Sequence, residues 1–270
     1  MTHVSCHPEQ RHAKGHDMSD RLKALRSSVD RLTGLVRPLD DNAVTRPAYP
    51  VEWTIADVVS HLGTAALISQ RMVADTLSGA RTPDDFNATV WAEWNAKSPR
   101  AKTNDGLAVI EAFTAGLEAV TQTDRKRFAL EMGPLELDWD AAVGMRLNEQ
   151  VLHEWDIAVA LDPSATLPDD GAELVIDNLD LIARFTAKPH GEPAVIAVAT
   201  TRPDRAFAII IEPDTVTFSP APSSTDPNLS MPAEGFIRLV YGRLDAEHTP
   251  ASVAGDAGIL HQLRAVFPGP

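Results

Sequence analysis

Three side chains in this sequence have the types and the spacing to hold a metal ion. Glu149 and His153 are four residues apart, which on a helix places them on one face, one turn from each other. Asp156 follows three residues later on that face, which Ala142, Met145 and Ala160 continue. An inward stripe with three ionisable groups is costly unless they pair or bind a cation. Spacing alone leaves two readings open. One is an exposed polar face or a simple Glu–His hydrogen bond. The other is part of a metal site, which helical bundles build from carboxylates and imidazoles on facing helices. His61 is the candidate third ligand, because a helical stripe of Val58, Ala65, Ile68 and Met72 carries it inward. Alone, such a histidine is more simply a satisfied core residue. Together with Glu149 and His153 it gives three ligands and one open position, the arrangement of catalytic rather than closed structural zinc.

Other chemistries find little support. The sequence has no Gly-x-x-x-x-Gly-Lys or Gly-x-Gly-x-x-Gly phosphate loop and no Gly-x-Ser-x-Gly elbow. Its single cysteine, Cys6, lies in a stretch without apolar periodicity, so neither an intrachain disulfide nor a cysteine zinc cluster can form. Four of the nine histidines (His3, His7, His12 and His16) share that stretch with Cys6. It reads as a disordered leader over residues 1–18. His190, His248 and His261 carry no comparable pattern.

The elements that must position these groups are helical first. Leu22, Leu25, Val29, Leu32 and Val36 recur at spacings of three and four, the mark of an amphipathic helix. A second helix opens at Thr54 with Thr-x-x-Asp, a capping box through Asp57, and runs to about Leu77 before Gly79. A short helical piece surrounds Phe86, Val90 and Trp94. Ile110, Phe113, Leu117 and Val120 outline a third long helix, and Trp139 to Leu161 a fourth that stops before Pro163. Four long helices with connecting loops predict an up-and-down bundle over residues 19–165. From Pro163 the prolines thicken, and all five tryptophans lie before it. A helix around Leu174–Phe185 leads into strands at Ala194–Thr200, Ala206–Glu212 and Thr215–Ser219. Helical stretches at Ala233–Leu244 and Ala257–Val266 close a smaller α+β domain over residues 166–270.

Charge narrows the partners. The 270 residues carry 24 Lys+Arg against 38 Asp+Glu, a formal net charge of −14. Such an excess of acid repels phosphate backbones and anionic membrane surfaces, which excludes generic nucleic-acid and membrane binding. No apolar run approaches the length of a membrane span. With one cysteine, the composition fits a reducing, cytoplasmic location. Nothing in the sequence sets the oligomeric state.

The stretches Pro50-Val-Glu-Trp-Thr-Ile-Ala-Asp-Val-Val-Ser-His-Leu62 and Asn148-Glu-Gln-Val-Leu-His-Glu-Trp-Asp-Ile-Ala158 resemble the two signatures of the mycothiol-dependent maleylpyruvate isomerase family. That family belongs to the DinB-like metal-binding four-helix bundles. Met231-Pro-Ala-Glu-Gly-Phe-Ile-Arg-Leu-Val-Tyr-Gly-Arg-Leu244, Ala254-Gly-Asp256 and Phe267-Pro-Gly269 resemble its sterol-carrier-like second domain. The resemblance spans about residues 19 to 269 and implies a zinc triad of His61, Glu149 and His153. It implies a borrowed low-molecular-weight thiol, mycothiol or a similar one, held as thiolate at the open metal position. Asp156 and Asp57 are candidates to orient the imidazoles, with helix capping the equal alternative for Asp57. Arg243 is a candidate contact to the cofactor or an acidic substrate, with a surface salt bridge as the alternative.

Residues 80–104, with Phe86, Trp91, Trp94 and Asn95, match nothing in the isomerase itself. Trp91 and Trp94 could line an apolar substrate pocket or pack in the core. The expected function is therefore a zinc- and thiol-dependent transferase acting on an electrophilic small molecule. Its alternative is cis–trans isomerisation of a maleylpyruvate-like diacid. A third expectation, of another class, is a non-catalytic small-molecule or lipid binder with a structural metal.

Overall fold

In a computed structural model the chain is described over residues 18–133, 135–221 and 226–269. The leader, with Cys6 and the four early histidines, lies outside the described residues. Helix α1 (Met18–Val36) buries Leu25, Val29, Leu32 and Val36 almost completely. In α2 (Ile55–Ser78) the Thr54 hydroxyl accepts from the Asp57 amide while the Asp57 carboxylate accepts from the Thr54 amide. Gly79, at φ 72°, then turns the chain out of the helix. After α3 (Phe86–Asn95) comes α4 (Pro99–Ala119), opened by the Ser98 hydroxyl and by proline at its first position.

A short helix α5 (Gln122–Arg127) and a hairpin of β1 (Leu130–Met132) and β2 (Leu135–Leu137) lead into α6 (Trp139–Leu161). Asp138 caps α6, and Pro163 follows its end. Helices α1, α2, α4 and α6 form the bundle, with α1 on α6 and α2 on α4. The second pair approaches to backbone contact. A Cβ on Gly63 would lie 2.8 Å from the Gly106 Cα, and one on Gly106 would lie 2.8 Å from the Val59 carbonyl. Only glycine permits that closeness, and it fixes the helix that carries His61.

Beyond α6 the sequence-predicted helix over Leu174–Phe185 is broken. It appears as α7 (Asp169–Val175), a 3-10 turn (Ile176–Asn178) and α8 (Leu179–Thr186). Ile176 in the turn and Leu179 at the start of α8 are both buried. Five strands follow, β3 (Ala194–Thr201), β4 (Arg205–Ile211), β5 (Val216–Pro220), β6 (Leu229–Pro232) and β7 (Ala254–Gly255). Their order is β5-β4-β3-β6-β7. β6 runs parallel to β3, with Val198 opposite Leu229, and the other pairs are antiparallel.

Helices α9 (Ala233–Val240) and α10 (Ala257–Val266) complete the chain. The main core is continuous from Leu25 in α1 through Trp155 in α6 to Phe236 and Phe267. The helical and sheet-containing parts thus share apolar packing along α6. None of the described helices is long and apolar enough to cross a membrane.

Candidate metal centre

His61 on α2 and Glu149 and His153 on α6 converge at the end of the bundle that faces the sheet-containing part. Glu149 Oε2 lies 3.4 Å from His61 Nε2 and 3.6 Å from His153 Nε2. The three donor atoms all fall within 4.8 Å of one another. The imidazole centroids are 4.7 Å apart at 67°, so the rings meet edge to face rather than stacking. In a tetrahedral shell with bonds of about 2.0–2.1 Å, ligand atoms sit about 3.3 Å apart. The donor set and its separations therefore fit a divalent cation, and no other such cluster of His, Cys, Asp and Glu occurs among the described residues.

Exposure separates the three candidate ligands. The His61 and Glu149 side chains are 37% and 44% exposed, whereas that of His153 is 10% exposed. His61 therefore looks into an opening rather than into the packed core that its apolar stripe predicted. Burial alone would raise the Glu149 carboxyl, but the imidazoles of His153 and His61 hold it well below the usual carboxylate range. Glu149 is therefore anionic across the physiological range, as a ligand must be.

Behind His153 runs a chain of hydrogen bonds. Its Nδ1 is 2.8 Å from Asp156 Oδ2. Asp156 is fully buried and accepts two further bonds from Arg243, Nε to Oδ1 at 2.7 Å and Nη2 to Oδ2 at 2.8 Å. Burial would push the Asp156 carboxyl up, but His153 and Arg243 together hold it down. An ionised Asp156 accepts a hydrogen bond from the Nδ1 proton of His153 and leaves Nε2 facing Glu149 and His61. Arg243 is buried, and its Nη1 donates to the Tyr241 carbonyl. It is neither a surface ion pair nor a free arm, because its donors are committed to Asp156 and to the backbone.

Asp57 stands elsewhere. One carboxylate oxygen caps α2 at the Thr54 amide and hydroxyl, and the other accepts from Lys102 Nζ at 2.8 Å. It makes no bond to either imidazole, since both oxygens are occupied at the start of α2, a full turn before His61. Trp91 and Trp94 are also away from the centre. Trp94 is buried against Gly63 with Lys97 over its ring at 4.0 Å, and Trp91 is half exposed.

The tryptophan at the site is Trp53, which spacing did not single out. Its ring stacks on His153 at 6.1 Å and 19°, and meets His61 at 5.1 Å. The loop that carries it closes on itself through the Ala48 amide to the Trp53 carbonyl at 2.8 Å. It is tied to α6 by the Tyr49 amide to the Asp156 carbonyl, and to the segment after α9 by the Tyr49 hydroxyl to Asp245. The only sequence signal for Trp53 is its place in the same stretch as His61.

The centre opens into a cavity of 770 Å³, within the size range of small-molecule sites. Trp53, His61, Glu149 and His153 line its bundle side, and Lys188, Tyr241, Arg243 and Gly269 line the opposite side. The far wall depends on close backbone contact, since a Cβ on Gly242 would lie 2.1 Å from the Gly269 Cα. A second groove of 440 Å³ between α1 and α4, lined by Asp30, Arg37, Arg100 and Glu111 among others, carries charges of both signs and no histidine.

Comparison with known proteins bears on the family and the fold. Residues 25–158 match the family defined as the mycothiol maleylpyruvate isomerase N-terminal domain. The crystal structure of the mycothiol-dependent maleylpyruvate isomerase superposes with a TM-score of 0.60 at 17% identity, over 84% of this chain and 90% of that one. A histidine-to-alanine mutant of that isomerase gives the same TM-score and coverage at 16% identity. YfiT from Bacillus subtilis, with an unusual four-helix bundle topology, gives 0.43 at 18% identity over 57% of this chain and 91% of its own. No protein of curated function matches the chain. At these identities the likeness to the isomerase is one of fold: a helical bundle followed by a sheet-containing α+β region.

Proposed function

Because the chain belongs, through residues 25–158, to the mycothiol maleylpyruvate isomerase N-terminal domain family, we propose that it is a metal-dependent enzyme using mycothiol or a similar small thiol. It adds or transfers that thiol to an electrophilic small molecule. The observation that carries this reading is a three-ligand centre, His61, Glu149 and His153, facing a 770 Å³ cavity. A structural site closes its coordination with protein ligands, whereas this one leaves room for a small molecule. That argues against a non-catalytic binder with a structural metal.

His61, Glu149 and His153 would hold the metal, zinc or another divalent ion suited to an imidazole and carboxylate set. When bound, such an ion lowers the pKa of a coordinated thiol and so supplies a thiolate at neutral pH. The remaining work falls to the chain. Asp156 keeps the proton of His153 on Nδ1 at 2.8 Å, and Arg243 keeps Asp156 ionised by two charge-assisted bonds. Trp53 covers the face of His153 and limits water there. Among the described residues there is no cysteine, and this reading takes the sulfur from the small thiol.

Thiol transfer and isomerisation differ in what happens after the carbon–sulfur bond forms. In transfer the conjugate persists. In isomerisation of a conjugated cis double bond, sulfur adds, the former double bond rotates, and elimination returns the thiol beside a trans product. The name of the matched family favours the second outcome for a maleylpyruvate-like diacid, and the open cavity serves either. The test is metal analysis of the purified protein, calorimetric titration with mycothiol, and mass spectrometry after incubation with candidate electrophiles. A lasting conjugate marks a transferase, and unchanged thiol beside a rearranged product marks an isomerase. A protein that takes up no divalent metal, or a His61→Ala variant that takes it up as well as the wild type, would falsify the proposal.

A further inference from the structure

The cavity beside the metal centre has two features that the metal and thiol do not use. The first is apolar. The chain exposes five large hydrophobic side chains among the described residues, and three of them, Val51 at 80%, Trp53 at 36% and Phe185 at 64%, line this one cavity. Exposed apolar residues scattered singly need no explanation, but a cluster on the wall of a concave site marks a binding surface.

The second is a cation. Four positively charged or chargeable residues line the cavity: His61, His153, Arg243 and Lys188. The two histidines face Glu149 at the metal centre, and Arg243 is clamped on Asp156. Lys188 alone has no carboxylate within ion-pair distance among the described residues, on a chain whose formal net charge is −14. Where acid outnumbers base so heavily, an unpaired ammonium in a binding cavity is a directed feature of the local field. The fold also anchors it: the Lys188 amide donates to the Val266 carbonyl at 2.8 Å, which fixes the segment between α8 and β3 against the end of α10. The other unpaired charge on the wall, Glu52, adjoins Trp53 at the start of α2.

We propose that Lys188 is the anion-recognising residue of this cavity, and that its small-molecule substrate joins one anionic group to an apolar or aromatic body. The body rests on Trp53, Val51 and Phe185, and the anionic group reaches the Lys188 ammonium. Lysine suits this task because it is a compact point charge on a flexible stem and meets a single anionic oxygen without demanding planar, two-point geometry. This assignment deepens the thiol-enzyme reading by naming its substrate class.

A matched pair of fluorescent probes tests it without metal or thiol. 8-Anilinonaphthalene-1-sulfonate and N-phenyl-1-naphthylamine share an aromatic body, and only the first carries a negative group. Full-length wild-type protein should bind both. Lys188→Met should weaken the sulfonate by about tenfold or more, as expected for loss of a charge-assisted contact. The same change should move the neutral probe by less than about twofold, Lys188→Arg should keep most of the sulfonate affinity, and Trp53→Ala should weaken both probes. Glu52→Gln should leave the sulfonate unchanged or tighten it. An unchanged sulfonate affinity in Lys188→Met, an equal loss of both probes, or no binding by the wild type overturns the assignment. Because neither metal nor thiol enters this titration, the two readings fail separately. If the probes behave as expected and no conjugate or isomer ever forms, the enzyme reading falls and the cavity assignment stands.

Discussion

Asp156 and Glu154 are two residues apart on α6, both buried, and both bonded to an arginine from elsewhere in the chain. They point to opposite sides of the helix and behave oppositely. Glu154 faces α1, where it accepts from Arg31 Nε at 2.8 Å and from the Ser28 hydroxyl, while Arg31 also reaches Asp170 at the start of α7. Burial dominates there and pushes the Glu154 carboxyl above its ordinary range despite Arg31. Asp156 is more deeply buried, yet His153 and the bidentate Arg243 hold its carboxyl below the ordinary range. Similar burial and similar partners therefore do not make similar sites. The difference is where each network ends: that of Glu154 ends on a third helix, and that of Asp156 on an imidazole nitrogen aimed at a cavity. The first is a brace, and the second holds the imidazole of His153, a proposed metal ligand.

The comparison breaks most visibly at Asp156. Replacing it by Ala leaves Arg243 buried and unpaired and should cost about 3–5 kcal/mol of stability, read from denaturant unfolding. Zinc affinity measured by calorimetry should fall about 10–100-fold, because His153 loses the group that fixes its tautomer. The double variant Asp156→Leu/Arg243→Met separates the two effects. With both charges gone, most of the stability should return while the zinc affinity stays low. Recovery of both would mean that Asp156 acts on the metal centre only through the fold.

Glu154→Gln should be milder, costing about 1–3 kcal/mol as the bonds from Arg31 and Ser28 weaken. Its zinc affinity should remain that of the wild type. A loss of metal comparable to that in Asp156→Ala would dissolve the distinction between brace and ligand support.

Sequence could not have drawn that distinction, and the reason is locality. The spacing Glu149, His153, Asp156 is readable because a helix repeats every few residues. The boundaries of α2 are readable because Thr54, Asp57 and Gly79 act on the backbone beside them. Arg243 and Asp156 are 87 positions apart, and no periodicity connects them. For the same reason β6 was not anticipated: its partner β3 lies across a crossover, and four residues are too few to show alternation. The tryptophans mislead in a related way. Trp91 and Trp94 sit in a stretch that offers no motif to carry over from the isomerase, whereas a loop tied to α6 and to Asp245 brings Trp53 to the imidazoles. Lys188 carries no sequence signal at all, since its meaning depends on which other cations in the cavity are already paired.

The smallest expected effect sharpens the comparison from the other side of the centre. Asp57 belongs to the same quoted stretch as His61, but its oxygens are taken by Thr54 and Lys102. Asp57→Asn should therefore cost about 1 kcal/mol, the usual worth of a cap, and leave zinc affinity unchanged. The pH dependence has a definite sign. Burial would raise the Asp57 carboxyl, yet Lys102 and Thr54 hold it below the ordinary 3.8. The folded state thus binds its proton less readily than the unfolded chain. The contribution is complete above pH 3.8 and is lost as pH falls through the lowered folded value. Below that, wild type and Asp57→Asn should converge in stability, because the variant has no charge to lose. A zinc affinity that drops in Asp57→Asn at neutral pH would move Asp57 from the start of α2 into the metal centre, and would place two acidic supports there where the geometry shows one.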